Sequence, residues 1–271
     1  MKFDSNRAWK QASSQVSANR DLLIALSGVF FLLPVLAFSL FLPQPKPQPG
    51  MPANEMMALA RGYYLSALPF VMPMVLLQAT GTMAMLTLFT DRRRPTVGQS
   101  IKRGLSAILP YIGAQLILGI GLGVATSIVA ALASLTRSVP VVVIALVAIV
   151  VGALYVVVKT SLSAPVIVVE HVRNPLKALR RSWRLTGHNS VRIALFYLLV
   201  LVAFAVVISV AMAIVGIVLA LLASHGIARV IAAVVSSALG TTMSVYFIAI
   251  LAAVHRQLAG RAPELDRATF E

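Results

Sequence analysis

The sequence contains no cysteine and little acidic charge. Only 8 of its 271 residues are Asp or Glu. Without cysteine, disulfide bonds, thiolate catalysis, thiolate metal ligands and palmitoylation are excluded. Charged residues of both signs make up 11% of the chain, whereas they make up about one quarter of an average soluble domain. Hydrophobic residues make up 59%, so lipid must cover much of the folded protein.

Six long apolar runs account for this composition. A helix needs about 20 apolar residues to cross the hydrocarbon core. The runs lie approximately at Leu22–Leu42, Tyr63–Thr90, Leu105–Thr136, Val139–Val169, Ile193–Ala223 and Val230–Val254. They lack the alternation of membrane β-strands, which favours helices. We therefore predict an all-α fold, a polytopic transmembrane bundle of six spans.

Polar stretches are too short to form a separate soluble domain. We predict one membrane domain at 22–254, with an amphipathic segment at 1–21 before it and a tail at 255–271 after it. Prolines within the spans are the expected kink sites. They are Pro34, Pro69, Pro73, Pro110 and Pro165.

Basic residues are distributed unevenly among the connections. The segments at 1–21, 91–104, 170–192 and 255–271 hold 18 of the 23 Lys and Arg residues, and the alternate connections hold 4. Basic residues concentrate on the cytoplasmic side of inner-membrane proteins. The pattern predicts a multi-pass protein of a bacterial inner membrane, with both termini and the basic loops 91–104 and 170–192 in the cytoplasm.

The basic segment at 170–192 predicts an amphipathic helix at the membrane surface. Asn174 is placed to cap a helix that begins at Pro175. One face would carry Leu176, Leu179 and Trp183, and the other Lys177, Arg180, Arg181 and Arg184. Similar but weaker patterns occur at 1–21 and 91–104. The chain is therefore interpreted as three repeats of a basic interfacial helix followed by two spans.

Cations beside a membrane span attract anionic headgroups. Lys177, Arg180, Arg181 and Arg184 are the predicted contacts to lipid phosphate, with Trp183 as an interfacial anchor. The alternative is that these cations only determine topology.

Lys159 is the one ionisable residue predicted inside a span. It is either a contact to an anion or a side chain that reaches back to the headgroups. Other polar positions, Gln78, Thr80, Thr82 and Gln115, are typical of interhelical hydrogen bonds. The glycine spacing at 119–123 and the pair Ser236 and Gly240 favour close helix packing, within the chain or in a dimer.

No pattern of catalytic residues is present. The four histidines lack metal-ligand spacing, and Glu170 and His171 are neighbours whose side chains diverge on a helix. The sequence therefore predicts no enzyme, no cofactor and no metal site.

The segment Asn174–Asn189 reads NPLKALRRSWRLTGHN. It resembles a signature in the membrane domain associated with bacterial glycerophosphoryl diester phosphodiesterases and in related six-helix inner-membrane proteins. The matching residues are Pro175, Ala178, Leu179, Ser182, Trp183, Leu185, Thr186 and Gly187. In those enzymes a separate soluble domain performs hydrolysis with acidic residues and a divalent metal. We expect that domain to be missing here, so the resemblance implies the membrane domain and no activity.

These patterns favour a non-enzymatic protein that engages anionic phospholipid in a lipid-organising or scaffold role. The alternative is a transporter of a small solute or lipid that is not coupled to ions through intramembrane carboxylates. Nucleic acid is not an expected partner, because the basic residues flank membrane spans. A homo-oligomer or a membrane protein partner is compatible with the sequence.

Overall fold

The computed structural model describes residues 3–42, 45, 50–90, 96–222 and 224–260. Part of the predicted basic loop, residues 91–95, lies outside the described residues. Most of the C-terminal tail, residues 261–271, also lies outside them.

Over the described ranges the chain folds into nine helices and no strand. The helices are α1 (Ser5–Ala18), α2 (Arg20–Phe41), α3 (Ala53–Thr90), α4 (Val97–Leu135), α5 (Val139–Thr160), α6 (Ser163–Val169), α7 (Pro175–Leu185), α8 (Ser190–Leu222) and α9 (His225–Ala259). Six segments are long and apolar enough to cross a membrane, namely α2, α3, α4, α5 with α6, α8 and α9. The prediction of an all-α protein with six spans is confirmed.

Helix α2 contains a π-helical segment, Gly28–Leu32. The backbone N–H of Leu33 donates to the carbonyl of Gly28, one residue further back than in an α-helix. Pro34 follows immediately and has no N–H to donate, so the regular ladder cannot continue unchanged. A π-segment beside a proline is a recognised cause of helix bending. This position agrees with the kink expected at Pro34.

The fourth span is interrupted just before Pro165, which the sequence analysis named as an expected kink site within one span. Helix α5 ends at Thr160, a turn follows at Ser161 and Leu162, and α6 begins at Ser163. Pro165 in the first turn of α6 has no N–H to bond to the end of α5. Because of this break, Glu170 follows the end of α6 and is not part of the helix that carries Lys159.

The interfacial helix predicted at 91–104 is not a separate helix in the structure. Residues 97–104 form the first turns of α4, which continues without interruption to Leu135. Thr96 caps this helix, accepting from the backbone N–H of Gln99, whose side chain accepts from the backbone of Thr96 in return. Helices α1 and α7 are separate from the spans that follow them. The three-repeat interpretation remains a prediction.

We call the end of the bundle that carries α1, α6 and α7 the basic end. Successive spans cross the bundle in opposite directions. The C-terminal ends of α3 and α9 and the N-terminal ends of α2, α4 and α8 therefore also lie at the basic end. Most of the buried core lies at this end, including Met83–Leu86 in α3 and Ala249–Val254 in α9. The opposite halves of the spans expose apolar side chains. In the most hydrophobic windows of α4, α5 with α6, and α8, only 6% of residues are buried.

Candidate functional site

Helix α7 begins as its sequence predicts. The side chain of Asn174 accepts a hydrogen bond from the backbone N–H of Lys177 at 3.1 Å, and Pro175 occupies the first turn. Pro175 also contacts α4, where a Cβ on Gly113 would lie 3.0 Å from the proline ring. The cap and this contact fix where α7 begins on the bundle.

The buried face of α7 differs from the predicted apolar face. Ala178 and Ser182 are fully buried and Leu179 nearly so, whereas Leu176 is 51% and Trp183 40% exposed. The helix therefore packs on protein through small residues and a serine. Leu176 and Trp183 flank that contact, and the role of Trp183 as an interfacial anchor stays a prediction.

Ser182 and Thr186 contact the break between α5 and α6. The hydroxyl of Ser182 donates to the carbonyl of Lys159 at 2.8 Å and accepts from the backbone N–H of Leu162 at 3.1 Å. The hydroxyl of Thr186 lies 3.3 Å from the same carbonyl. Backbone groups freed at a helix end need such partners when buried. Two residues of the signature segment thus have a structural role that the sequence did not reveal.

Lys159 lies against aromatic rings. It is 4% exposed, and its ammonium is 5.3 Å from the centre of the Trp183 ring and 5.5 Å from that of Tyr155. A cation over aromatic faces at this distance is attracted by the ring electrons. Whether this side chain reaches toward the headgroups depends on the depth of Trp183 in the membrane, so that alternative also stays a prediction. The contact to an anion predicted for Lys159 stays a prediction.

The four predicted phosphate contacts of α7 separate into two groups. Lys177, Arg180 and Arg184 are exposed. Arg181 is half-buried, and its Nε donates to the Glu170 carboxylate at 2.9 Å. Three of the four cations therefore face outward, and the fourth is paired within the protein.

Glu170 joins three helices. One carboxylate oxygen accepts from Arg181 in α7, and the other lies 3.1 Å from Nε2 of the buried His255 in α9. The backbone turns at His171, which has a φ of +53°. The side chains of Glu170 and His171 therefore point in different directions. The pairing of Glu170 with His255 joins residues 85 positions apart and was not predicted.

Helix α1 packs against the ends of α8 and α9. The backbone N–H of Phe3 donates to the side chain of Asn189 at 2.9 Å, and Gln257 donates to the carbonyl of Asp4 at 3.2 Å. Trp9 stacks on Tyr246 at a centroid distance of 5.8 Å. The N-terminal amphipathic segment is thus partly held by protein contacts.

Two of the other polar positions singled out in the spans, Thr80 and Thr82, bond within their own helix. The hydroxyls of Thr80 and Thr82 donate to carbonyls of their own helix at 2.8 Å each. A Cβ placed on Gly119, Gly123 or Gly240 would have nothing within 4 Å. Close packing within the chain is therefore wrong for these glycines, and the dimer alternative stays open.

A cleft at the basic end was missed by the sequence reasoning. It has a volume of about 570 Å³ and lies between the end of α3, the first turns of α4, α6 and the connection to α7. Its lining includes Arg103, Arg173 and His171. These cations are far apart in sequence, and only the fold brings them to one cavity.

Among the residues that the structure describes, no group of three or more His, Asp or Glu side chains is arranged to hold a metal ion. Comparisons with protein-family models, curated proteins and solved structures gave no match to this chain. The class that the fold defines is a multi-pass α-helical membrane protein with six spans. The resemblance to the phosphodiesterase-associated membrane domain stays a prediction.

Proposed function

We propose that this chain is a non-enzymatic protein of a bacterial inner membrane whose basic end binds anionic phospholipid, in a lipid-organising or scaffold role. The observation that supports this most is the outward face of α7. Lys177, Arg180 and Arg184 are exposed there, and no carboxylate among the described residues lies within ion-pair distance of them.

Helical spacing aligns these three cations. Positions 177, 180 and 184 are separated by three and four residues, which places them on one face of a helix. Trp183 is next to them and is amphipathic, as residues at the headgroup level are. Each juxtamembrane cation contributes about 1 kcal/mol to the attraction of anionic lipid. Arg181 contributes less, because Glu170 already offsets its charge.

A non-enzymatic role is supported by the position of the buried histidine–carboxylate pair. Glu170 and His255 face each other and Arg181, and neither lines the cleft. General acid–base catalysis requires such groups to reach a substrate.

The transporter alternative requires a polar path through the middle of the spans. The hydroxyls of Thr80 and Thr82 are instead used within their own helix. This favours the lipid-binding role.

A charge-matched pair of variants tests the proposal. Lys177→Gln, Arg180→Gln and Arg184→Gln are combined in one protein. The control combines Arg61→Gln, Arg137→Gln and Arg229→Gln, which removes the same charge from the opposite end. Native mass spectrometry in nanodiscs of phosphatidylcholine and phosphatidylglycerol counts retained anionic lipid. We expect a loss of phosphatidylglycerol in the α7 variant only. Equal retention in the two proteins would contradict the proposal.

The orientation is testable because the natural chain has no cysteine. Single variants Ser138→Cys and His188→Cys place a thiol at opposite ends of the bundle. An impermeant maleimide applied to intact bacterial spheroplasts should label position 138 and leave position 188 unlabelled until lysis. The reverse pattern would place the basic end outside the cytoplasm.

A further inference from the structure

We propose that the cleft between α3, α4 and α6 is a binding site for a phosphate group. This rests on the proposed function, in that an anionic phospholipid headgroup is one source of such a group, and a free phosphate compound is the other. The cleft is distinct from the outward face of α7, because Lys177, Arg180 and Arg184 do not line it.

Charge is the first argument. Arg103 comes from the second turn of α4, and Arg173 and His171 come from the connection between α6 and α7. No carboxylate occurs among the described residues that line the cleft. Arginine is well suited to phosphate because its planar fork of N–H groups matches two phosphate oxygens.

The backbone turn at His171 explains why the Glu170 carboxylate does not line the cleft. Glu170 is next in sequence to residues that line the cleft, yet its carboxylate bonds to Arg181 and His255. His171 adopts a left-handed conformation with a φ of +53°, which is uncommon for a residue other than glycine. This turn allows Glu170 to point into the protein while His171 lines the cleft.

The walls of the cleft are amphipathic. Arg103, Ser106, Ala107 and Pro110 all line it from α4, at the three- and four-residue spacing of one helical face. The polar members precede the apolar ones along the helix, so the lining becomes more apolar toward the membrane interior. Val168 and Val169 of α6 continue the apolar part. Such a gradient suits a phosphate joined to an apolar group.

Hydroxyl groups have a secondary role. Those of Thr87, Thr90 and Ser106 donate to carbonyls of their own helices, at 2.9, 2.6 and 2.7 Å. Their hydrogens are therefore engaged, and the positive side chains must supply most of the attraction. At about 570 Å³, the cleft is within the usual range for small-molecule pockets, roughly 300–1,000 Å³.

The test compares two double variants of the full-length protein. Arg103→Gln with Arg173→Gln removes both arginines of the cleft. Lys102→Gln with Arg192→Gln removes the same charge from exposed positions of the basic end that do not line the cleft. Arg173→Gln alone serves as a further variant, since Arg173 lies in an exposed connection and its loss leaves the helices intact.

One arm uses lipid as the probe. Native mass spectrometry in nanodiscs containing phosphatidylglycerol measures the most strongly retained lipid. We expect roughly a 10- to 30-fold weaker retention of this one lipid in the cleft variant, because two charge-assisted contacts to its phosphate are lost. The control pair should retain the lipid as the wild type does.

The other arm uses inorganic phosphate on delipidated protein in detergent, with chloride at equal ionic strength as the reference. Thermal stabilisation of the wild type but not the cleft variant, with equal lipid retention in both, would support the site and identify a free phosphate compound as the source. If cleft and control variants behave alike in both arms, the site is overturned. The proposed function is tested separately, and it is supported if the α7 variant loses phosphatidylglycerol.

Discussion

The basic end and the opposite half of the bundle are built from the same helices, yet they pack differently. In α3, Met83–Leu86 are fully buried, whereas Leu65, Leu68 and Met72 are more than half exposed. In α9, Ala249–Val254 are almost completely buried, whereas Ile227 is 58% exposed. Both halves are strongly apolar, so hydrophobicity does not explain the difference.

Small residues and hydrogen bonds explain the tighter packing of the basic end. In lipid there is no hydrophobic force that drives one apolar helix against another, and association depends on close backbone approach and polar contacts. The basic end has Gly104 against the backbone of Ala84, the hydroxyl of Ser182 at the α5–α6 break, and the Glu170 ion pairs. Breaking these contacts one at a time should therefore affect stability at this end only.

The largest effect is expected at Gly104. A Cβ there would lie 2.9 Å from the backbone nitrogen of Ala84, so Gly104→Leu forces α3 and α4 apart. Overpacking of this kind costs about 3 kcal/mol or more. The control is Gly121→Leu in the same helix, where a Cβ has nothing within 4 Å. Thermal unfolding in detergent should show a clear loss for the first variant and none for the second.

The second largest loss of stability is expected at a buried leucine, which has an exposed leucine as its matched control. Leu86 is fully buried at the basic end, and Leu132 is 60% exposed in α4. Leu86→Ala should cost about 2–4 kcal/mol because it leaves a cavity. Leu132→Ala should cost almost nothing, because lipid can fill the space. Equal losses in thermal stability would show that the opposite half packs as tightly as the basic end.

Ser182→Ala should have a moderate effect. It leaves the backbone N–H of Leu162 without its 3.1 Å partner and removes a donor to the carbonyl of Lys159. A buried unpaired group costs about 1–3 kcal/mol. Ser134→Ala is the control, since that exposed hydroxyl donates only within its own helix. Emission of the two tryptophans, Trp9 in α1 and Trp183 in α7, reports changes at the basic end directly. An unchanged unfolding temperature in Ser182→Ala would contradict the capping role.

The smallest effect is expected for Glu170→Gln. The substitution removes the charge that pairs with Arg181 and contacts His255, but it keeps the shape of the side chain. Because Gln keeps an oxygen that can accept from Arg181 and only the charge assistance is lost, the loss should be about 1 kcal/mol, the difference between a charged and a neutral hydrogen bond. Glu55→Gln, at an exposed position in the first turn of α3, should change the unfolding temperature still less. A larger loss for Glu55→Gln would contradict the contrast between the two ends.

The number and approximate limits of the spans were predictable because they depend on local composition. The Asn174 cap and the amphipathic α7 were predictable for the same reason. A kink was predictable at Pro165, but the hydrogen bonds of Ser182 to the break at Ser161 and Leu162 were not, since Ser182 is 20 residues away from Leu162.

The glycines at helix contacts show most clearly what could not be predicted from the sequence. The spacing at 119–123 matches a helix-contact pattern, but the close approach occurs at Gly81, which belongs to no such pattern, and at Gly104, whose small-residue spacing with Ser100 the sequence analysis did not single out. Which glycine meets a neighbour depends on how the helices cross. The cleft likewise depends on tertiary structure, because Arg103 and Arg173 are separated by most of α4, α5 and α6.

Helix α5 is short compared with its neighbours. Its 22 residues measure about 33 Å, close to the hydrocarbon thickness of about 30 Å. Helix α3, with 38 residues, measures about 57 Å and can follow a thicker or thinner bilayer by changing its tilt. Helix α5 has little length to spare, and Ser182 joins its end to α7. We therefore expect the thickness of the surrounding bilayer to affect the depth of α7, and with it the height of Lys177, Arg180 and Arg184 at the membrane surface.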